Sequence, residues 1–294
     1  MSESEHELDD EGRMPFVDHL RELRDRLRNS VLALIVGFFA AYAVKEDLFI
    51  IMVKPLLPVL EDMRAQGDPV DGSATLNFTS VLEPFWTYFT MSLWAGIFVA
   101  SPFIFYQLWK FISPGLYKNE RRYGIAFAAA SAICFIGGAV FCYFLVLPVV
   151  LDFLLGFATQ DVVQQTVLLK EAVPEAQLTV RPLLTMQEYL SFTRRLLIGF
   201  GIVFELPLFI FFMSLIGAVT HRGLWRFNRW WVVISFVLAA ALTPPDVASQ
   251  LLMAAPLIVL YNLSIGIAFI VTRRREAREQ ALTRAPPEEP DSAE

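Results

Sequence analysis

Six stretches of this chain are apolar over nearly the length that a helix needs to cross a lipid bilayer. The hydrocarbon core of a bilayer is about 30 Å thick, and roughly 20 helical residues span it. Lipid offers no partners to free backbone groups, so long apolar stretches predict helices. The six stretches run approximately from Ser30 to Val44 or onward past Lys45 to Val53, from Phe85 to Trp109, from Ile125 to Val150, from Leu196 to Gly217, from Trp230 to Leu242 and from Val247 to Val271. The predicted fold class is all-α: a polytopic integral membrane protein with six transmembrane helices.

Composition supports lipid as the main solvent of this chain. Of its 294 residues 55% are hydrophobic and only 18% are charged, which is too little polar surface to coat an ordinary soluble domain. The net charge of -6 mainly sums two acidic termini, which are typical of disorder. We therefore predict a disordered acidic tail (1–14), a transmembrane domain (15–272) that includes a long periplasmic loop (151–195), and a disordered cytoplasmic tail (273–294). No nucleic-acid partner is expected.

Lysine and arginine are unevenly divided between the two sides that six crossings would give. The side that holds both termini has 17 of them and the other side has 7, four of which lie in the long loop, where charge predicts orientation less well. Because basic residues concentrate in cytoplasmic loops, both termini are predicted to be cytoplasmic. Ala41-Tyr42-Ala43 could instead be a signal-peptidase site, but the preceding region is long and partly acidic, unlike the start of a signal peptide.

The fifth and sixth stretches are predicted to form a tight helical hairpin. Only the turn Leu242-Thr243-Pro244-Pro245-Asp246 separates them, and its prolines end one helix and begin the next. The fifth stretch has thirteen apolar residues, which as a helix reach only about 20 Å. Either the bilayer thins there or the helix is sheltered, or Arg226, Arg229 and Thr243 extend toward the interface and make the span only nominally short.

Two polar segments on the predicted cytoplasmic side each have a structural and a functional interpretation. Phe16, Leu20, Leu23, Leu27 and Val31 recur at spacings of 4, 3, 4 and 4 and predict an amphipathic helix that runs into the membrane. On that helix, Glu22 and Arg26 are spaced for a surface ion pair. In the second segment, Pro114-Gly115 predicts a turn, Asn119 can cap the third span, and Glu120 suits a first helical turn. Alternatively, Glu22 and Glu120 together form an acidic site for guanidinium groups.

The fourth span contains Glu205, followed two residues later by a helix-kinking proline, Pro207. A carboxyl group at that depth should be protonated, paired or facing a polar cavity, and its default interpretation is functional. Gln250, near the start of the sixth span, is either an interfacial amide or a residue that faces Glu205.

Enzymatic motifs and the usual cofactor motifs were not found in the sequence. Cys134 and Cys142 predict neither a disulfide framework nor a metal site, and there is no HExxH, GxSxG or P-loop pattern. We therefore expect a non-enzymatic protein without a cofactor. Two rivals are a small-solute or proton-coupled transporter, whose path Glu205 and Gln250 would line, and a membrane-embedded hydrolase, which the missing nucleophile and metal motifs disfavour.

From about Pro15 to Val271 the chain resembles the TatC subunit family of the twin-arginine protein translocase. Four ordered motifs carry the resemblance: His19-Leu20-Arg21-Glu22-Leu23-Arg24-Asp25-Arg26-Leu27, Phe111-Ile112-Ser113-Pro114-Gly115-Leu116-Tyr117-Lys118-Asn119-Glu120-Arg121-Arg122, Phe200-Gly201-Ile202-Val203-Phe204-Glu205-Leu206-Pro207, and Leu242-Thr243-Pro244-Pro245-Asp246-Val247-Ala248-Ser249-Gln250.

The resemblance implies a cupped six-helix bundle with short fifth and sixth helices in the cell inner membrane. It implies a receptor that binds twin-arginine signal peptides, associates with itself in a TatBC complex, and works with TatA and TatB in export of folded proteins driven by the proton-motive force. It also assigns residues. The signal-peptide site would comprise Glu22, Glu120, Arg24, Phe111, Leu116 and Tyr117, the intramembrane polar positions Glu205 and Gln250, and the periplasmic structural positions Pro55 and Asp246.

One departure from the family pattern is the long third-to-fourth connection. Residues Gln164 to Pro182 read as an insertion of unknown role. The insertion puts in doubt any transfer of periplasmic contacts, and it leaves the cytoplasmic site unaffected.

Overall fold

The structure is a computed structural model that describes residues 16–65, 76–112, 124–159, 184–243 and 247–284. In this part of the chain it is helical, which confirms the all-α class, and the extended pairing that it contains is one parallel bridge between Asn77 and Thr185. The helices, numbered here in chain order, are α1 (Phe16–Ala43), α2 (Lys45–Val53), α3 (Leu56–Ala65), α4 (Glu83–Ile112), α5 (Gly124–Phe141), α6 (Leu147–Thr159), α7 (Met186–Phe204), α8 (Leu206–Leu215), α9 (His221–Leu242) and α10 (Val247–Arg284). A π-helical turn (Cys142–Val146) joins α5 to α6.

Five segments of the described chain are long and apolar enough to cross a membrane. They are Val17–Ala43, Glu83–Ile112, Gly124–Gly156, Met186–Leu215 and Val247–Arg274. The predicted fifth crossing corresponds to α9, which is not among them because its first turns carry three arginines and an asparagine. A membrane-spanning helical fold is thus confirmed, and the count of six crossings stays a prediction.

The described residues belong to two compact units, the first drawn from Met1–Ile50 and Phe85–Ile133. In this unit α1 and α4 approach closely at two glycines. A Cβ atom on Gly37 would lie 2.6 Å from the carbonyl oxygen of Gly96, so the two backbones are nearly in contact. Small residues permit this approach in membrane helices, where van der Waals packing drives association. Trp109 of α4 donates a 2.9 Å hydrogen bond to Ser131 of α5 and fixes the next helix.

The second unit is drawn from Ile51–Pro84 and Cys134–Glu294. A buried apolar cluster joins α8, α9 and α10; it comprises Ile210, Leu224, Trp231, Tyr261, Ile265 and Ala268. Trp231 stacks on Tyr261 with ring centroids 4.8 Å apart, and its indole N–H donates to the carbonyl of Leu257. The hydroxyl of Tyr261 donates to the carbonyl of Leu224. These contacts confirm the predicted helical hairpin of α9 and α10.

Several helix boundaries differ from the prediction. The fifth helix begins at His221 and has 22 residues, or about 33 Å, and the sixth has 38, so the expectation that both are short is wrong. Helix α10 continues to Arg284, past residue 273, where the tail is predicted to start. Helix α6 reaches Thr159 and α7 begins at Met186, which leaves a shorter connection than the predicted loop 151–195.

Candidate functional site

The polar half of α1 packs on the end of α4 that carries Phe111. The imidazole ring of His19 stacks on the ring of Phe111, with centroids 4.4 Å apart and an interplanar angle of 19°. About two turns further along α1, on the same face, the guanidinium of Arg26 donates a 3.3 Å hydrogen bond to the side-chain oxygen of Gln107. The close approach of Gly37 to Gly96 holds the same two helices together nearer their other ends. The amphipathic helix predicted near the N-terminus is therefore present and packs along α4.

Glu22 lies on the face of α1 that packs on α4, and it is less exposed than the other acids of α1. Its side chain is 19% exposed, whereas those of Asp18 and Asp25 are 49% and 47% exposed. Arg26 donates to Glu22 Oε1 from Nη2 at 2.8 Å and from Nε at 3.3 Å, so the predicted ion pair is present. Within the part of the chain that the structure describes, no donor is bonded to Glu22 Oε2.

Among the described residues, this geometry orients the Glu22 carboxylate through one of its two acceptor oxygens. An ionised carboxyl group can accept on both oxygens, and it binds a guanidinium in a bidentate or forked manner. Arg26, itself fixed by Gln107, immobilises Glu22 through Oε1, and Oε2 has no bonded donor in the described part of the chain. The exposed pairs Arg21–Asp18 and Arg28–Asp25 lack such support from α4 and are worth little in binding or stability.

The structure brings together only part of the predicted signal-peptide site. Phe111 is half-buried beneath His19, and Glu22 lies one turn along α1 from His19. Arg24 is not on this face, because its side chain is 75% exposed and lies 3.6 Å from Asp25. Glu120, Leu116 and Tyr117 lie outside the described residues.

Three residues at this site were not found from the sequence. His19 and Gln107 contact α4 and α1 respectively, and Arg26 was read only as a partner in a surface pair. A signal was present in the spacings: His19, Glu22 and Arg26 follow at 3 and 4 along one face of α1, and Gln107 and Phe111 are 4 apart on α4.

Glu205 lies at a break between two helices in the apolar region. It ends α7 and precedes α8, its N–H donates to the carbonyl of Ile202, and its carbonyl accepts from the N–H of Phe209. Pro207 sits in the first turn of α8, where a missing N–H is tolerated, and α7 and α8 together form the span Met186–Leu215. Glu205 interacts electrostatically with Cys134 of α5.

Two of the remaining predicted positions, Gln250 and Pro55, lie at helix ends. Gln250 lies half-buried in the first turn of α10, and a contact between it and Glu205 stays a prediction. Pro55 is buried between α2 and α3. The segment before Pro55 is fixed by two tyrosine hydroxyls, since Tyr143 donates to the carbonyl of Ile51 and Tyr189 to that of Met52. Asp246 lies outside the described residues.

Glu83 is a buried carboxylate that sequence analysis missed altogether. It begins α4, is 4% exposed, and uses both oxygens as acceptors. Oε2 accepts from the N–H of Thr79 at 2.6 Å and from its hydroxyl at 2.9 Å, while Oε1 accepts from the N–H of Gln187 at 3.0 Å. Beside it, Asn77 pairs with the segment that precedes α7. In the sequence Glu83 looks like any acid in a first helical turn.

Comparison with known proteins agrees with this architecture. The family model described as "Sec-independent protein translocase protein (TatC)" matches residues 18–256. Proteins of that name from Desulforapulum autotrophicum and Koribacter versatilis are 38% and 37% identical to this chain; the matches cover 92% and 90% of it, and 90% and 91% of the relatives. The protein of that name from Aquifex aeolicus is 35% identical over 91% of this chain and 100% of its own length.

Solved structures lead to the same family. A crystal structure described as "Twin Arginine Translocase Receptor- TatC in DDM" superposes with a TM-score of 0.68 at 36% identity, covering 85% of this chain and 99% of the other. A second structure of the same receptor gives a TM-score of 0.68 at 35% identity over 86% of this chain. The protein therefore belongs to the TatC family of Sec-independent protein translocase components.

Proposed function

We propose that the protein is the receptor and core subunit of a twin-arginine translocase, and that it binds the paired arginines of signal peptides at its cytoplasmic face. With TatA and TatB it carries folded proteins across the inner membrane at the expense of the proton-motive force. The observation that supports this most directly is Glu22, a half-buried carboxylate that Arg26 holds in place and whose Oε2 has no bonded donor among the described residues.

In the proposed mechanism Glu22 and Glu120 each bind one arginine of the signal peptide. A hydrogen bond to a charged group contributes about 1.5 to 3 kcal/mol, so two such contacts can carry most of the selectivity for the pair. The planar guanidinium matches a carboxylate in bidentate fashion, whereas an ammonium is a compact point charge, so paired lysines bind less well. Phe111, Leu116 and Tyr117 form the apolar part of the site around the arginine side-chain stems.

An export assay with matched variants tests this site. Cells carry either Glu22→Gln with Glu120→Gln, or the control Asp18→Asn with Asp25→Asn, which removes two exposed carboxylates from the same helix as Glu22. Folded reporters bearing an Arg-Arg or a Lys-Lys signal are then followed into the periplasm. We expect the first pair of changes to abolish Arg-Arg export and the control pair to retain it. Normal export by the Glu22 and Glu120 double variant would refute the assignment.

Direct contact can be measured by placing a photoreactive residue at Phe111. A signal peptide bound between α1 and the loop that follows α4 passes within reach of this ring, because His19 of α1 already stacks on it. We expect crosslinks to an Arg-Arg precursor in membranes that contain TatA and TatB, and their loss when the precursor carries Lys-Lys. Equal crosslinking of both precursors would count against selection at this site.

A second candidate function is supported by Glu205, since a carboxyl group at a helix break in an apolar region is also typical of solute and proton pathways. In the first proposal Glu205 and Gln250 are polar positions used during protein translocation. In the second they line a path for a small solute. Uptake by the purified protein alone in liposomes would favour the second function, whereas a requirement for the partner subunits favours the first.

A further inference from the structure

One end of the α9–α10 hairpin is rich in arginine. Helix α9 carries Arg222, Arg226 and Arg229 in its first turns, and all three side chains are exposed. Between Leu206 and Arg275 the sequence has a single acidic residue, Asp246, which follows the opposite end of α9. Among the side chains that the structure describes in this stretch, none is a carboxylate that could neutralise the three arginines.

Packing of the hairpin adds further cations to the same end. The ring of His221 meets the ring of Phe269 edge-on, with centroids 5.2 Å apart, so the start of α9 lies beside the later part of α10. The guanidinium of Arg273 lies over that same ring, 5.8 Å from its centroid. Arg273 and Arg274 are both exposed. We call these five residues the arginine face: Arg222, Arg226, Arg229, Arg273 and Arg274.

The exposed stripe of α9 changes character along its length. Arg222, Arg226 and Arg229 are followed at the same helical spacing by Val233 and Val237, which are 54% and 63% exposed. The rise from Arg222 to Arg229 is about 10 Å, comparable to the depth of one headgroup layer, which is roughly 5 to 8 Å. The stripe therefore passes from guanidinium groups to valines over the distance in which a leaflet passes from phosphate to hydrocarbon.

Two exposed tryptophans flank the arginines at this level. Trp225 is 68% exposed and Trp230 is 57% exposed, and the guanidinium of Arg229 lies 5.9 Å from the ring centroid of Trp230. Tryptophan is enriched where membrane meets water, because its ring is apolar and its N–H is polar. An acidic protein segment could also pair with arginines, but it would not account for the uninterrupted continuation of the stripe into exposed valines.

We propose that the arginine face binds the phosphate groups of anionic phospholipids. Guanidinium groups bind phosphate in bidentate fashion, and the positive end of the α9 dipole adds to the attraction at Arg222. The ligand class is a lipid phosphate with a net negative headgroup, such as phosphatidylglycerol. A zwitterionic headgroup carries the same phosphate with a compensating cation and binds less well.

The test uses the purified full-length chain in mixed micelles with equal amounts of dioleoyl phosphatidylglycerol and dioleoyl phosphatidylcholine, with bound lipids counted by native mass spectrometry. Wild type should retain the phosphatidylglycerol preferentially. Arg226→Gln with Arg229→Gln should lower that preference by about fivefold for each arginine removed. The matched control is Arg21→Gln with Arg28→Gln, because each of these arginines already pairs with an aspartate of α1, so the preference should be unchanged.

Three outcomes would overturn the proposal. Equal retention of the two lipids by wild type would mean that the arginine face does not select anionic lipid, and would favour an acidic protein segment as its partner. An equal fall in the control variant would mean that total charge, not this face, selects the lipid. Displacement of the phosphatidylglycerol by millimolar inorganic phosphate would identify a site for soluble anions.

Arg273→Gln with Arg274→Gln provides an independent arm on α10. This variant should also lower the preference for phosphatidylglycerol, and an unchanged preference would contradict a site shared by α9 and α10.

Discussion

Two carboxylates of this protein, Glu22 and Glu83, are both shielded from solvent and yet are suited to different tasks. Glu83 has both oxygens occupied by donors of its own chain, at 2.6, 2.9 and 3.0 Å. Glu22, within the part of the chain that the structure describes, receives both of its bonds on Oε1. A saturated carboxylate fixes structure, whereas one with an open oxygen can bind a ligand. Burial alone therefore does not distinguish the two acids, whereas their hydrogen-bond partners among the described residues do.

Replacement of Glu83 should destabilise the protein. In Glu83→Gln one acceptor oxygen becomes an NH₂ group that faces a backbone N–H, and in Glu83→Ala the donors of Thr79 and Gln187 all lose their partner. A buried donor left unsatisfied costs about 1 to 3 kcal/mol. We expect a lower midpoint of thermal unfolding for both variants in detergent, and a larger loss for alanine.

The matched control for this change is Glu188→Gln, because Glu188 is an exposed acid in the first turn of α7, close in sequence to Gln187. Its substitution should leave the unfolding midpoint nearly unchanged. Similar losses from Glu188→Gln and Glu83→Gln would mean that negative charge near the α7 N-terminus, and not the Glu83 hydrogen bonds, carries the stability.

Helix pairs of this protein meet at glycines, and their packing can be tested with two neighbouring residues. A Cβ atom on Gly138 of α5 would lie 2.6 Å from the carbonyl oxygen of Phe200 of α7, whereas one on Gly137 would meet nothing within 4 Å. Gly138→Ala must force α5 and α7 apart, and overpacking of this kind costs about 1 to 3 kcal/mol. Gly137→Ala should be neutral or stabilise by up to about 1 kcal/mol, because alanine favours the helix.

The measurement is again the thermal unfolding midpoint of the purified variants. Because the two glycines are adjacent in α5, the effects of alanine on helix propensity and on expression should be the same in both variants. A fall for Gly138→Ala only is the expected result. Equal behaviour of the two variants would contradict a backbone-to-backbone contact at Gly138.

Apolar length predicted which segments are helical but not where each helix ends. The hairpin and the amphipathic start of α1 were predictable because both depend on local spacing. The first turns of α9, from His221 onward, were missed because an exposed helical turn with arginines has no apolar signal. Pro207 predicted a kink in the fourth span, and the structure has the interruption two residues earlier, at Glu205.

Prediction of the site was limited by sequence separation. The ion pair of Glu22 and Arg26 followed from an i,i+4 spacing, and the structure contains it. The stacking of His19 on Phe111, by contrast, joins two helices, and the bond from Gln187 to Glu83 joins residues 104 apart. Such contacts depend on tertiary packing, which one sequence does not encode in any local pattern.

At the scale of the whole chain, α9 decides the number of membrane crossings. Five described segments qualify as spans by apolar length. Helix α9 runs antiparallel to α10, with Trp231 bonded to Leu257 near the middle and His221 beside Phe269 at one end. Since α10 contains one of the five spans, its antiparallel partner of about 33 Å should cross the same layer. Six crossings place both termini on one side.

Cysteine labelling tests this topology. Cys142 is fully buried and can stay, while Cys134→Ala removes the other native thiol. In that background Ser4→Cys and Ser292→Cys report on the termini, and Gln164→Cys in the predicted periplasmic loop is the positive control. We expect a membrane-impermeant maleimide to label intact spheroplasts only at position 164, and the termini only after lysis. Labelling of one terminus alone would mean an odd number of crossings, and labelling of both termini but not position 164 would mean the reverse orientation.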